Sequence, residues 1–252
     1  MLILNYIFFF FLIILTFLSI SGYGAVFNNH KNINIFEKLF LGFIFLAFFN
    51  TFFHFFFKLN FYVNLLILLL GIIFFKINKI NIDKKKLFYF LIIIFLIPIF
   101  ITQKYHEDFG YYHLPYALSF LEEKIIFGLA NSNIAYTYNS IWLNVYPSFF
   151  TETKNYDFLT LPTFILFICF ILLLTHNFLN SKDWRLSNLF SIVLIFYYLL
   201  KFTRISEFGV DLPSSLYSNL AIFYFIKFFE TQDLDNKKNY FFLNTNFAVF
   251  SI

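Results

Sequence analysis

Seven stretches of this chain run for fourteen residues or more with at most two charges in each: 2–21, 35–57, 61–75, 87–102, 158–174, 186–200 and 216–229. A run of about 20 apolar residues makes a helix long enough to cross the ~30 Å hydrocarbon core of a bilayer. Inside hydrocarbon only a helix satisfies its own backbone polar groups segment by segment. The runs therefore predict an all-α, polytopic membrane helix bundle with seven spans. Composition agrees, since 60% of the 252 residues are hydrophobic and only 13% charged, with a mean hydropathy of +0.75. A soluble domain carries roughly a quarter of its residues as charges. The last twelve residues, F-F-L-N-T-N-F-A-V-F-S-I, are too few to cross and read as the start of an eighth span, cut short by an incomplete C-terminus.

The joints set the expected arrangement. Lys58–Asn60 is short enough to force spans two and three antiparallel. Pro98 removes a backbone hydrogen bond in span four and kinks it. Positive residues gather on the cytoplasmic side of membrane proteins, and the loop 76–86 holds five lysines. Alternation from that loop places twelve of the eighteen Lys and Arg inside and puts the N-terminus outside. The protein is thus expected to be integral to a membrane, in contact with membrane lipids. Its net charge of +4 is explained by these loops, and no nucleic-acid partner is expected. Cys169 is alone, which excludes an internal disulfide and a cysteine metal site. Two parts are expected, a three-span segment over 1–84 and a core over 85–252 with a large outer loop at 103–156.

That outer loop is the longest segment unsuited to hydrocarbon, and it concentrates the candidate chemistry. Leu114, Ala117, Leu118 and Leu121 recur at helical spacing, with Pro115 suited to a first turn. They predict an interfacial helix on the membrane surface that ends at Glu122-Glu123-Lys124. Gly110 is expected to turn the chain just before it. Glu107 and Asp108 point about 100° apart on a helix, so at most one faces a given cavity. An acid held at the membrane boundary can serve as a general base or bind a divalent cation such as Mg²⁺ or Mn²⁺, although no metal-ligand motif fixes a metal. Equally, acids near a helix start are favoured by its dipole alone. His113 can donate to a phosphate or simply meet water. On the same face, Asp211 precedes Pro213 and reads as a helix N-cap. Lys201 and Arg204 are the outer basic pair near enough to grip an anion, or else they snorkel at the end of span six.

The segments H-E-D-F-G-Y-Y-H-L-P-Y (106–116), E-E-K-I-I-F-G-L-A-N (122–131) and Y-N-S-I-W (138–142) resemble bacterial polytopic proteins related to the GT-C membrane glycosyltransferases. The resemblance covers roughly residues 85–230. The family pattern has an arginine between the last two segments, where this chain has S-N-I-A-Y-T-Y. The resemblance implies a bacterial plasma (inner) membrane and transfer of a sugar from a polyprenyl-phosphate donor on its non-cytoplasmic face. By its plan Asp108 is the first essential acid, acting as base, and Asp211 the second, assisting or helping to hold a cation. Lys201 or Arg204 would neutralise the departing phosphate, with Glu107 joining them in binding the substrate and His113 orienting one of these groups. Three other readings compete: a transporter or flippase, a polysaccharide ligase or polymerase, and a non-catalytic integral membrane protein of envelope polysaccharide metabolism. A transporter would place ionisable residues in mid-span, where Asn50, His54 and Asn64 are the few candidates.

Overall fold

The computed structural model describes residues 2–27, 33–80, 108–138, 140–149, 159–181, 184–206 and 208–251. Among the described residues every regular element is helical. The main helices are α1 (Leu2–Gly24), α2 (Ile35–His54), α3 (Phe61–Ile77), α4 (Leu114–Glu122), α5 (Leu161–Asn180), α6 (Leu186–Leu200), α7 (Asp211–Glu230) and α8 (Leu234–Phe250). Among the described residues three segments are long and apolar enough to cross a membrane: Phe9–Phe27, Ile35–His54 and Leu161–Asn180. Helices α3 and α6 are also apolar, but shorter at 17 and 15 residues. Span four, with Pro98, lies outside the described residues.

Local chemistry explains the helix boundaries. Asn34 accepts from the Phe36 and Glu37 amides at 2.9 and 3.0 Å, while Glu37 Oε2 accepts from the Asn34 amide at 2.6 Å. This reciprocal capping box starts α2. Asn60 starts α3 by accepting from the Val63 amide at 3.1 Å. The expectation that the eighth helix starts only with the last twelve residues is corrected. Asp233 accepts from the Asp235 amide at 3.2 Å and from Asn236 Nδ2 at 2.7 Å. The helix therefore begins at Leu234, inside the polar run, and the joint shrinks to 231–233.

Helix α1 packs on α2 and α3, α7 pairs with α8, and α5 joins the two groups by meeting α2, α6 and α7. The first group packs very closely. A Cβ placed on Gly22 would overlap the carbonyl oxygen of Gly71, and one on Gly42 would overlap that of Ile20. Small residues let membrane helices approach this way when burial from water offers no drive between them. Tyr23 donates to the Ile67 carbonyl beside the same contact. Across the bundle, Tyr217 donates to the Phe40 carbonyl at 2.9 Å and Tyr224 to Glu37 Oε1 at 2.5 Å.

One buried element has no counterpart among the expected spans. Residues 141–149 form consecutive short 3₁₀ turns, Ile141–Asn144 and Tyr146–Phe149, and Trp142 through Phe149 are buried. Irregular backbone within such a bundle requires partners from its neighbours, and the mid-span polar residues supply them. Asn50 Nδ2 donates to the Asn144 carbonyl at 2.7 Å and to Ser148 Oγ at 2.8 Å. Asn64 Nδ2 donates to the carbonyls of Leu59 and Pro147, both at 2.7 Å. His54 Nε2 meets the Glu123 carbonyl at 3.1 Å and its ring stacks on Phe120 with centroids 3.8 Å apart. The residues a transporter would use in mid-span thus clamp the loop region onto α2 and α3. Replacing Asn64 with Leu strips a donor from two carbonyls and should cost about 1–3 kcal/mol. Thermal unfolding in detergent would register the loss, and amide exchange should quicken selectively over 141–149.

Candidate functional site

The α2–α3 joint and the joint before α7 both lie at the end of the bundle that carries α4. The Leu59 amide donates to the Phe120 carbonyl at 2.7 Å, and the Ile125 amide to that of His54 at 3.1 Å. Helix α4 forms where its spacing predicts it, with Pro115 in the first turn and extended backbone at Glu123. Its approach corrects the expected break at Gly110. Asp108 leads directly into a π-helical turn, Phe109–His113, that runs on into α4. Gly110 faces open space and makes no turn. Such a widened turn inside a helix is common at functional sites, and here it carries Asp108, Tyr112 and His113 to one cleft.

The cleft has a volume of about 40 Å³ and is walled on one side by Asp108, Tyr112 and His113 and on the other by Phe208–Leu212. Two acids 103 positions apart in sequence, Asp108 and Asp211, therefore line the same small space. Their shared reach is visible at Tyr112. Burial first, then the charges of Asp108 and Asp211, push its hydroxyl above the usual tyrosine range. The phenol is thus held protonated, as a donor. Replacing either Asp with Asn removes one of those charges and should lower the Tyr112 pKa. A tyrosine-ring NMR titration with Tyr112→Phe as the assignment control would check this, and an unmoved Tyr112 in both variants would contradict the shared cleft.

Each expected site residue among those described has a definite place. His113 is buried, with its ring 4.2 Å from that of Tyr112 and 6.3 Å from that of Phe208. Asp211 is not the N-cap. Val210 occupies that position, and Asp211 is the first residue of α7 with its side chain 72% exposed. The reason is that α7 begins one residue earlier than an Asp cap would require. Its carboxylate instead stands 3.9 Å from the Arg204 guanidinium. An exposed pair of this kind adds little stability, so its effect is positional. Lys201 is not brought to the cleft. Its ammonium donates to the Tyr197 hydroxyl at 2.7 Å and lies 4.6 Å from the same ring's centroid, back along α6. Glu107 lies outside the described residues.

Sequence reasoning missed Tyr146, which sets the far wall. Its hydroxyl donates to the Gly209 carbonyl at 2.6 Å and meets Thr163 Oγ1 at 3.0 Å, with its ring 4.2 Å from Phe208. Tyr112 was also missed as a site residue, although its adjacency to His113 in F-G-Y-Y-H was a usable signal. Among the described residues no three metal-binding side chains converge. Asp108 and Asp211 offer a divalent cation two carboxylates at most, and such a cation takes six or more oxygens. The described residues alone do not build a tight resident site there.

What the arrangement can do chemically is limited and specific. A buried imidazole, a protonated phenol and two carboxylates meet at the bundle end, with a guanidinium held beside one carboxylate. The cleft has room for a hydroxyl or a few waters but not for a sugar ring. No curated protein and no solved structure matches this chain. A family model does match, over residues 2–252, and by that match the chain belongs to the family described as Domain of unknown function (DUF8201).

Proposed function

We propose that this protein is a membrane glycosyltransferase of the GT-C type. In this reading it has the seven-span plan, and the cleft lies on the non-cytoplasmic face of a bacterial plasma membrane. It transfers a sugar from a polyprenyl-phosphate donor to a hydroxyl acceptor. The observation that carries the reading is the convergence of Asp108 and Asp211, from two separate joints, on one cleft at the end of an apolar bundle. A lipid-linked donor reaches such a place by lateral diffusion, with its chain along the helices and its phosphate at the surface.

The roles follow from position. Asp108 takes the proton from the acceptor hydroxyl as that oxygen attacks the anomeric carbon. The bond from that carbon to the phosphate oxygen breaks, and its electron pair leaves on the polyprenyl phosphate. Arg204, held beside the cleft by Asp211, meets the charge that develops on the leaving phosphate. Tyr112 donates a hydrogen bond, and His113 packs behind it and fixes the π-helical turn. A cleft of about 40 Å³ admits the reacting hydroxyl, while both sugars stay at its mouth. Any cation there would draw most of its ligands from water and the donor phosphate, and no step depends on it. The transporter reading loses ground because Asn50, His54 and Asn64 are committed to holding 141–149 and its flanks.

The direct test reconstitutes the full chain in liposomes with a polyprenyl-phosphate sugar and a panel of hydroxyl acceptors. Release of polyprenyl phosphate above that of protein-free liposomes is the expected result. No release with any donor in the panel would remove the reading.

A further inference from the structure

A second and larger space lies at the other end of the bundle, where α5 leads into α6 and α7 into α8. Its volume is about 400 Å³, ten times that of the Asp108 cleft, and its walls are polar. The cations Arg185 and Lys227, the amides of Asn177 and Asn180, Glu230 and Tyr240 line it. Its chemistry plays no part in the proposed transfer.

The walls are built rather than accidental. Lys227 extends from α7 and is fixed in place, donating to Asn177 Oδ1 at 2.7 Å between the rings of Phe223 and Tyr240, 5.1 and 5.2 Å away. Glu230, the acid of the wall, is engaged at the start of α6. Its Oε1 accepts from the Ser187 amide at 2.9 Å and its Oε2 from Ser187 Oγ at 2.5 Å. Glu37 lies nearby and is likewise held, by the Asn34 amide and the Tyr224 hydroxyl. Both acids thus have fixed structural duties. The amides are also engaged, Asn177 Nδ2 donating to the Leu173 carbonyl and Asn180 Nδ2 to that of His176, both at 2.9 Å. The two cations are the groups suited to a ligand, and together a planar guanidinium and a point-charge ammonium suit a phosphate.

The rim indicates what carries that phosphate. Leu179, Trp184, Leu186 and Phe229 adjoin the lining residues in sequence, and each is exposed by more than 60%. Exposed apolar side chains next to a polar cavity suit acyl chains below a headgroup, and tryptophan is enriched at that depth. Basic pockets between helices are sites of this kind. We infer that the cavity between α5, α6, α7 and α8 binds the phosphate of a lipid headgroup, in the leaflet opposite the Asp108 cleft.

The test uses the full chain in detergent, with native mass spectrometry of added dioctanoyl phosphatidic acid. Dioctanoylglycerol, which lacks the phosphate, is the control, and inorganic phosphate is the competitor. Lys227→Met is expected to weaken phosphatidic acid binding about tenfold. Asn180→Asp, which adds a negative charge at an exposed rim position, should weaken it as well. Asp108→Asn should leave it unchanged, so this result stands apart from any failure of the transfer reading. Displacement by millimolar inorganic phosphate would keep the phosphate site and identify the free ion as its ligand. Equal binding of dioctanoylglycerol would overturn the inference, as would undiminished binding in a monodisperse Asn180→Asp protein. Because Asn180 is exposed, that variant carries the test if Lys227→Met does not fold.

Discussion

Replacing Asp108 with asparagine is expected to lower sugar transfer by about 10²–10⁴-fold, the range over which a positioned general base contributes. The change is nearly isosteric and removes only the ability to take a proton. Asp108 is half-buried at the cleft and stands just before the π-helical turn, so the fold should survive. The measurement is polyprenyl phosphate release in liposomes, with donor binding followed separately. Loss of turnover with donor binding retained is the signature of a base. Loss of both would recast Asp108 as a binding group, and unchanged transfer would remove it from the mechanism. Arg204→Gln should behave differently, because a cation that meets the departing phosphate touches the donor before and after reaction. That variant should lose donor affinity as well as rate.

The second large effect lies far from the cleft. Gly22→Val should destabilise the chain by more than about 3 kcal/mol, above the usual cost of overpacking. The obstacle is backbone: the new Cβ would occupy the position of the Gly71 carbonyl oxygen, and a carbonyl in a packed helix cannot rotate away. Helices α1 and α3 would have to part, taking with them the Tyr23 bond to Ile67. The readout is loss of a monodisperse species on size exclusion and early aggregation on heating. Gly110→Ala is the matched control, since a Cβ there meets nothing within 4 Å, and it should behave as wild type. A stable Gly22→Val protein would mean that α1 and α3 do not pack as described.

Features that rest on local chemistry were legible from the residues. Helix α6 has the bounds its apolar run predicts, because charged residues stand at both ends, and α4 follows its leucine spacing and Pro115. Features that depend on distant partners were not. Residues 141–149 are too short and too aperiodic to announce burial, and contain Pro147. They are buried because Asn50 and Asn64 supply donors from other helices. The π-helical turn was invisible at Gly110, since a glycine is compatible with a break and with a continued helix alike. Asp108 and Asp211 were legible as acids on one face, but their meeting in a single cleft depends on Tyr146 holding Gly209 from across the bundle. The Asp233 cap of α8 was legible in principle, and the polar residues after it hid the helix.

The clamping of 141–149 also has a cost in time. During synthesis Asn50 and Asn64 are made 94 and 83 residues before the carbonyls of Asn144 and Pro147 that accept their hydrogen bonds. At about 5–20 residues per second, the ribosome takes roughly 4–20 s to deliver those acceptors. Through that interval Asn50 lacks both of its acceptors in 141–149, and Asn64 keeps only the Leu59 carbonyl. A nascent chain at this stage is the form on which membrane insertion machinery and quality-control proteases act.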